Sequence, residues 1–333
     1  MNVNWDLHRV TLVGLVLLVI PPIFFTQGSR TIPRLFTLMA IMAILTLALN
    51  IVFGHTDQLF LFTGAIAATG GYTTILLAEY LGVSPWFTMP IAAAIAGLIG
   101  ALVSFVAARR GLGIIVISIL TLALQFSIVE LINSFRDITG GSTGLRVTSL
   151  TIEPLAALPF LDNQAVLYYT TAALLVALLL LYRYLVNSKY GLAFEMIRQD
   201  EDAAESIGVN VAKYKIIAGF IATFAVGLVG PLLAQRTGFL TPTQFSFGQI
   251  DVIILIMLII GGLRTMYGPI VGAVVVVMIN EQLREFGAYR LMVFGILLIL
   301  LFLYFRRGIV PWVTSQAREY GIVERSRELI SGS

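Results

Sequence analysis

The sequence predicts an all-α integral membrane protein built from about ten transmembrane helices. Hydrophobic residues make up 58% of the chain and charged residues 12%, against about 25% charged residues in soluble proteins. The mean hydropathy is +0.94, and apolar runs of membrane-spanning length recur along the whole chain. The chain has no cysteine and two histidines, His8 and His55. This composition excludes disulfides, thiolate metal sites and a zinc site made of histidines alone.

Ten apolar stretches could each form a membrane span, because a hydrocarbon core of about 30 Å needs a helix of about 20 apolar residues. They lie near residues 9–26, 32–53, 58–79, 86–107, 113–133, 165–186, 212–235, 248–263, 266–283 and 288–305. If the marginal stretches do not cross the membrane, the chain has eight or nine spans. The first stretch looks like a signal peptide, but Pro21 and Pro22 stand where the cleavage site is expected, so we predict a retained span. The eighth and ninth stretches form either a hairpin or a partly re-entrant pair.

The distribution of lysine and arginine predicts that both termini face the cytoplasm. With this orientation, the cytoplasmic connections hold twice as many of these residues as the external ones, as the positive-inside rule expects. The basic residues are spread thinly between apolar runs, so membrane topology explains the pI of about 9.2 better than nucleic-acid binding does. We therefore expect one transmembrane domain over residues 1–310, with a cytoplasmic loop at 187–212 and a cytoplasmic tail at 311–333.

Ten spans with a break after the fifth would give two halves of five helices. An odd number of spans per half places the halves in opposite orientation, which is the inverted-repeat plan of many transporters. No residue-level match between the halves supports the repeat, so it is a hypothesis from the count alone.

The stretch from Tyr190 to Gly208 is the only long polar segment between apolar runs of span length. On one helix at about 100° per residue, its apolar residues share an arc broken only by Asp200. That arc holds Leu192, Ala193, Met196, Ile197, Ala203, Ala204 and Ile207, and the opposite side holds Glu195, Arg198, Gln199, Glu201, Asp202 and Glu205. Gly208 stands where a C′ glycine is expected, and Asn210 can cap the next helix. An acidic helix of this kind suits a groove on another protein better than a lipid surface; a solvated loop helix is the alternative.

Polar residues near the predicted spans are candidates for a solute path, because an ionisable group at the bilayer centre costs about 2.5–3.5 kcal/mol and must face protein or water. The charged ones are Asp57, Glu130 and Asp251, and the neutral ones are Asn50, Gln58, Gln125 and Asn133. No carboxylate lies midway along a span with a basic partner, which argues against a proton relay and favours a neutral or zwitterionic solute. Asp251 would serve equally well as an anion at a helix N-terminus.

A glycine- and hydroxyl-rich segment, Ile138 to Leu145, falls on the external side by the charge distribution. Its residues Gly140, Gly141, Ser142 and Thr143 could turn backbone N–H groups toward a carboxylate, with an ordinary turn as the alternative. The sequence has no G-x-x-x-x-G-K-[ST] pattern and no Gly-Lys pair. The chain therefore lacks a P-loop for nucleotide hydrolysis.

Residues 190–219 resemble the cytoplasmic loop of ABC-importer permeases, whose pattern is Glu-Ala-Ala, three residues, Gly. This chain has Asp202-Ala203-Ala204 and then Gly208. The longer run RQDEDAAESIGVNVAKYKIIAGFIATFAVGLVGPLLA is similar to the M-type permease of branched-chain amino-acid importers. So are NIVFGHTDQ (50–58), TGGSTGL (139–145), FLTPTQFSF (239–247) and IIGGLRTMYGPIVGA (259–273), in that family's order and spacing. The resemblance covers about residues 35–310.

The resemblance implies a subunit of an ATP-driven importer in the inner membrane of a prokaryote. Its implied partners are a second, different permease, two cytoplasmic ATPase subunits that bind ATP and Mg²⁺, and an external solute-binding protein, with no cofactor bound by this chain itself. The residues implied for ATPase coupling are Glu195, Arg198, Asp202, Ala203, Ala204 and Gly208. Our candidates for the solute path are Asn50, Gly54, Asp57, Gln58, Thr63, Gly140, Gly141, Ser142, Thr143 and Asp251.

The chain departs from the family at a segment that runs roughly Gly-x-x-Gly-Gln-x-Ser-x-Gly-His. Asp57 replaces the second glycine and Thr63 the histidine, while Phe60 and Phe62 replace the serine and the third glycine. Bulky aromatics would change the wall of a path that this segment lines. Branched-chain amino acids are the expected solute, with urea, short amides or another small polar solute as alternatives. An ion-gradient-driven transporter or channel would need a paired intramembrane charge, and a lipid-processing enzyme would need a catalytic cluster; the sequence offers neither.

Overall fold

The structure is a computed structural model that describes residues 31–147, 163–305 and 308–319. This part of the chain is almost entirely helical. Its α-helices are α1 (Thr31–Thr56), α2 (Thr63–Leu81), α3 (Pro85–Arg109), α4 (Ile114–Ser134), α5 (Arg136–Thr139), α6 (Asn163–Val186), α7 (Lys189–Gln199), α8 (Glu201–Ser206), α9 (Val211–Thr237), α10 (Asp251–Gly261), α11 (Gly268–Gln282), α12 (Arg290–Tyr304) and α13 (Ile309–Glu319). Short 3-10 helices cover Gly141–Thr143, Pro242–Phe245 and Leu283–Tyr289, and strands β1 (Leu145–Arg146) and β2 (Phe239–Leu240) pair antiparallel.

Five of the described helices, α1, α3, α4, α6 and α9, are long and apolar enough to cross a membrane. The predicted all-α membrane class is therefore confirmed, while the count of ten spans stays a prediction. The first predicted span, near 9–26, and most of the 311–333 tail lie outside the described residues. The eighth and ninth stretches are the shorter helices α10 and α11, which pack together as a hairpin. Their backbones nearly touch, because a Cβ on Gly261 would lie 1.9 Å from the Gly268 carbonyl oxygen.

The prediction of one continuous span over 58–79 is wrong at its start, since α1 ends at Thr56 and α2 begins only at Thr63. Residues 57–62 between them are not helical. The Thr121 hydroxyl of α4 accepts a hydrogen bond from the Leu61 N–H at 3.0 Å. The apolar character of this stretch reflects burial, because Phe60 and Phe62 both pack into the core. Non-helical backbone of this kind is tolerated among membrane helices where protein surrounds it.

Helix α9 packs against α2 and α3 through small residues. A Cβ on Gly70 of α2 would lie 2.2 Å from the Gly227 carbonyl oxygen, and one on Gly230 would lie 2.0 Å from that of Ala67. On the α3 side, a Cβ on Gly100 would meet the Thr223 hydroxyl at 2.1 Å. These glycines allow the close backbone approach that stabilises helix pairs in lipid, so they serve packing.

Candidate functional site

The polar segment between α6 and α9 forms two short helices, α7 and α8, so the prediction of one helix over 190–208 is wrong. The break lies at Asp200, whose backbone is extended (φ −164°, ψ 117°). Its carboxylate accepts a hydrogen bond from the Ala203 N–H at 3.0 Å and thereby caps α8. Aspartate competes for local hydrogen bonds in this way, and Glu201 and Asp202 in the first turn of α8 suit its positive end.

The predicted helix stop at Gly208 and start at Asn210 are confirmed. Gly208 has φ +87°, and its N–H donates to the Glu205 carbonyl at 2.9 Å, while the Val209 N–H donates to that of Ala204 at 3.0 Å. This pair of bonds is the Schellman motif. The Asn210 side chain accepts from the Lys213 N–H at 2.9 Å and caps α9. These bonds fix the backbone between the end of α8 and the start of α9.

The apolar residues of α7 and α8 divide between a buried and an exposed set. Ala193, Ile197 and Ala204 of the predicted arc are buried. By contrast, Leu192 is 59% and Ile207 66% exposed. The other exposed side chains of α7, α8 and the break between them are Lys189, Glu195, Gln199, Asp200, Asp202, Ala203, Glu205 and Ser206, and Arg198 is half-buried. The segment thus presents a surface that mixes apolar and acidic groups, which we call the coupling face. The role of its residues in ATPase coupling stays a prediction.

An ion pair joins the segment to the helix that follows it. The Lys215 ammonium of α9 contacts the Glu201 carboxylate of α8, and the Lys215 side chain is 2% exposed while that of Glu201 is 43% exposed. The Lys215 backbone carbonyl in turn accepts from the Gln58 side-chain amide at 3.4 Å. Gln58 is fully buried and lies in the non-helical stretch between α1 and α2. The Glu201–Lys215 ion pair and the Gln58–Lys215 hydrogen bond therefore connect α8 to the non-helical stretch.

A second connection runs through residues that the sequence analysis did not select. The Phe194 ring of α7 lies 6.4 Å from the His55 ring, and His55 Nε2 is 2.8 Å from the Tyr182 hydroxyl. That hydroxyl accepts from the Asn50 amide at 3.3 Å. The only sequence signal was Asn50 itself, because its partners are far away in sequence.

Asn50 also fixes the loop between α10 and α11. Its Oδ1 accepts from the Arg264 N–H at 2.8 Å, and its Nδ2 donates to the Thr265 carbonyl at 3.0 Å. Arg264 has φ +64°, a left-handed conformation that is uncommon for residues other than glycine, and its Nε donates to the Gly54 carbonyl at 3.0 Å. Its guanidinium also lies 4.0 Å from the Asp57 carboxylate. Three predicted path residues, Asn50, Gly54 and Asp57, thus meet around Arg264.

The other end of the non-helical stretch is anchored by Asp251, which opens α10. Its carboxylate accepts from the Thr63 N–H at 2.6 Å and from the Gly64 N–H at 3.3 Å. Gln125 of α4 accepts from the Ala65 N–H at 2.6 Å and donates to the Phe245 carbonyl at 2.7 Å. The first N–H groups of α2 are therefore capped by side chains from α10 and α4, as a buried helix N-terminus requires.

The segment with Gly140, Gly141, Ser142 and Thr143 forms a compact turn of its own. The Thr143 hydroxyl donates to the Gly140 carbonyl at 2.6 Å, and the Gly141 N–H donates to the Thr139 hydroxyl at 3.2 Å. Strand β1 follows and pairs with β2. Most backbone N–H groups of the turn are used within it, which favours an ordinary turn over an anion nest. Within the described ranges, no cluster of three or more His, Cys, Asp and Glu residues could hold a metal ion.

Sequence comparison finds relatives over most of the chain. Residues 31–302 match the family model described as branched-chain amino acid transport system / permease component. The chain is 30% identical to the high-affinity branched-chain amino acid transport system permease protein LivM of Escherichia coli (strain K12), over 93% of this chain and 77% of that protein. It is 29% identical to LivM of Salmonella typhimurium, over 91% and 75%. It is 22% identical to the probable branched-chain amino acid transport permease protein LivH of Methanocaldococcus jannaschii, over 71% and 75%. No solved structure gives a significant match.

Proposed function

This chain belongs to the family of branched-chain amino acid transport permease components, and from that premise we propose that it is one membrane subunit of an ATP-driven importer for branched-chain amino acids. ATP hydrolysis takes place on partner subunits, and this chain contributes the path and the part on which the ATPase acts. Urea, short amides and other small polar solutes are the alternatives that a transport assay separates.

The observation that carries the proposal is the coupling face and its connections to the non-helical stretch. Exposed Leu192 and Ile207 suit the apolar floor of a groove, and the surrounding carboxylates suit a basic rim. A movement of α8 caused by the ATPase would be transmitted to Gln58 through Glu201 and Lys215. A movement of α7 would be transmitted toward the Arg264 loop through the packing of Phe194 on His55. An ATPase can shift the permease between two states only by binding them differently, and these connections are the route by which such a shift would reach the path.

The path itself follows residues 57–62 and the helix ends at each side of it. Gln58 Oε1 is buried and accepts no hydrogen bond from any described residue, a cost of about 1–3 kcal/mol that an N–H group of a passing solute would offset. Asp251 is fully engaged as the cap of α2, so its role here is to position that helix. The membrane of residence is the inner membrane of a prokaryote, with both termini and the coupling face in the cytoplasm.

Helix α4 is where a second permease would dock. Only 17% of the residues in its most apolar 18-residue stretch are buried, against 78% for α1. Its buried residues are Ile117, Thr121 and Gln125, which lie on one side of the helix. The opposite side includes exposed Glu130. A carboxylate on an apolar helix needs protein or water beside it, which a partner permease would provide.

The inverted repeat gains support from the way the helices pack. Exchanging α1 with α9, α2 with α10 and α3 with α11 turns each observed contact into another observed one. The contact of α9 with α3 corresponds to that of α1 with α11, and the contact of α2 with α3 corresponds to that of α10 with α11. Likewise, the contact of α9 with α2 corresponds to that of α1 with α10. Both α2 and α10 follow non-helical backbone, and their N-termini meet at Asp251. Broken helices that meet at a repeat interface mark the solute site in many transporters.

The test is uptake of radiolabelled leucine into proteoliposomes that contain this chain, its second permease and the ATPase, with the solute-binding protein outside. We expect uptake that requires ATP and every subunit and that excess isoleucine or valine suppresses, while urea does not. Leucine uptake by this chain alone under an ion gradient would overturn the proposal in favour of a secondary transporter.

A further inference from the structure

A cavity of about 280 Å³ lies between α1, α9, α10, α11 and the start of α12, away from the coupling face. Its lining includes the apolar residues Leu38, Met257 and Val276. The polar residues of the lining are Arg236, Asn280, Glu281, Arg284 and Arg290. Three arginines therefore share the lining with one carboxylate, next to a surface that suits an aliphatic chain.

The hydrogen bonds leave most of this positive charge uncompensated. Arg284 donates to the Glu281 carboxylate at 2.8 Å, which uses the one acid of the lining. Arg290 donates from Nε and Nη2 to the Asn280 side-chain oxygen at 3.1 and 2.8 Å. That acceptor is a neutral amide, so it holds the guanidinium in place without cancelling its charge.

Arg236 differs from the other two arginines because its Nε is buried and has no hydrogen-bond partner among the described residues. A desolvated donor on a charged group is costly to leave unpaired. Arg34 adds positive potential at Arg236, which Glu281 partly offsets. The cavity thus combines an arginine N–H donor that no described residue pairs with and an apolar part of the lining.

We propose that this cavity binds an oxyanion carried on an aliphatic body, with Arg236 as the principal donor. The planar guanidinium matches carboxylate and phosphate groups through parallel N–H bonds, and the apolar residues of the lining receive the hydrocarbon part. Two molecules in the membrane environment of a permease share this chemistry. They are an aliphatic amino acid, bound through its carboxylate, and an anionic phospholipid, bound through its phosphate. The site is defined by the arginine pattern, and only the amino-acid arm rests on the proposed function.

The test compares the assembled transporter with its Arg236→Gln variant in nanodiscs, using two probes without ATP. Leucine binding is measured by equilibrium dialysis, and phosphatidylglycerol retention is measured by native mass spectrometry against phosphatidylcholine. We expect Arg236→Gln to weaken one probe by about tenfold or more, as the loss of a charge-assisted bond predicts. The matched control, Arg146→Gln, removes an exposed arginine that lies outside the lining, and we expect it to change the same probe by less than about twofold.

The probe that responds identifies the source of the oxyanion. If neither probe responds to Arg236→Gln, or if Arg146→Gln weakens the responding probe equally, the site does not exist as described. Should Arg236→Gln fail to assemble, Arg236→Lys keeps the charge but not the planar fork, and unchanged binding in that variant would equally overturn the proposal. Because neither probe requires ATP hydrolysis, their failure is distinct from a failure of ATP-driven uptake.

Discussion

Glu201 of α8 neutralises Lys215 of α9, whose side chain is almost completely buried. The lysine is thereby held at the point where its backbone carbonyl meets Gln58. Removing the carboxylate would leave a buried positive charge without a partner, which is more costly than removing both groups together. The pair is therefore the most sensitive point between the coupling face and the non-helical stretch.

Replacing Glu201 with Gln should destabilise the α8–α9 junction by about 1–3 kcal/mol, less than a fully buried pair because Glu201 is partly solvated. The double variant Glu201→Gln with Lys215→Met should be more stable than Glu201→Gln alone. Melting temperatures of the purified complex measure both effects. Glu205→Gln, an exposed acid one turn away, is the control and should leave the melting temperature unchanged. A double variant that is no more stable than Glu201→Gln alone would contradict the coupling of the pair.

Gly208→Ala should weaken the end of α8 for a conformational reason. No atom lies within 4 Å of a Cβ built at Gly208, but its φ is +87°, which costs a residue with a side chain about 1–2 kcal/mol. Gly248→Ala is the matched control, since its Cβ also meets open space and its φ is ordinary. We expect Gly208→Ala to reduce ATPase binding and Gly248→Ala to leave it intact. Gly208→Asn should recover part of the loss, because asparagine tolerates this conformation. Equal effects of Gly208→Ala and Gly248→Ala would exclude the cap as the cause.

Asp251→Leu should destabilise the protein by about 1–2 kcal/mol, the cost of losing a helix cap, because the Thr63 and Gly64 N–H groups would lose their acceptor. Asp251→Asn keeps one oxygen as an acceptor and should lose less. The readout is again the melting temperature of the assembled complex, with uptake measured beside it. If Asp251→Asn abolishes uptake at an unchanged melting temperature, Asp251 acts on the solute and not only as a cap.

Much of the fold follows from sequence because its signals are local. Long apolar runs predict α1, α3, α4, α6 and α9, and Gly208 and Asn210 mark helix ends through their own backbone and side-chain chemistry. The break at Asp200 was visible as the one interruption of the apolar arc, but arc counting alone treats a capping aspartate as a misplaced charge. The predicted third span includes residues 58–62, which are not helical, because hydropathy does not distinguish buried apolar residues of a non-helical segment, such as Phe60 and Phe62, from those of a span.

The hydrogen bonds between distant polar residues could not be predicted from the sequence, for a different reason. Asn50 binds Arg264 and Thr265, and Asp251 binds Thr63, across about two hundred residues of chain. Such partners are set by how the helices pack, and a single sequence carries no signal for a pairing of that separation.

The most direct test of the central claim uses the absence of cysteine from the native chain. A single cysteine placed by Ile207→Cys on the coupling face, or by Val83→Cys at the predicted external end as a control, is labelled with a membrane-impermeant maleimide in sealed vesicles. We expect the Ile207→Cys variant to react only in inside-out vesicles and to become protected when the ATPase subunits bind, while the Val83→Cys variant reacts only in right-side-out vesicles. Labelling of the Ile207→Cys variant from outside, or full labelling while the ATPase is bound and leucine is transported, would contradict the account.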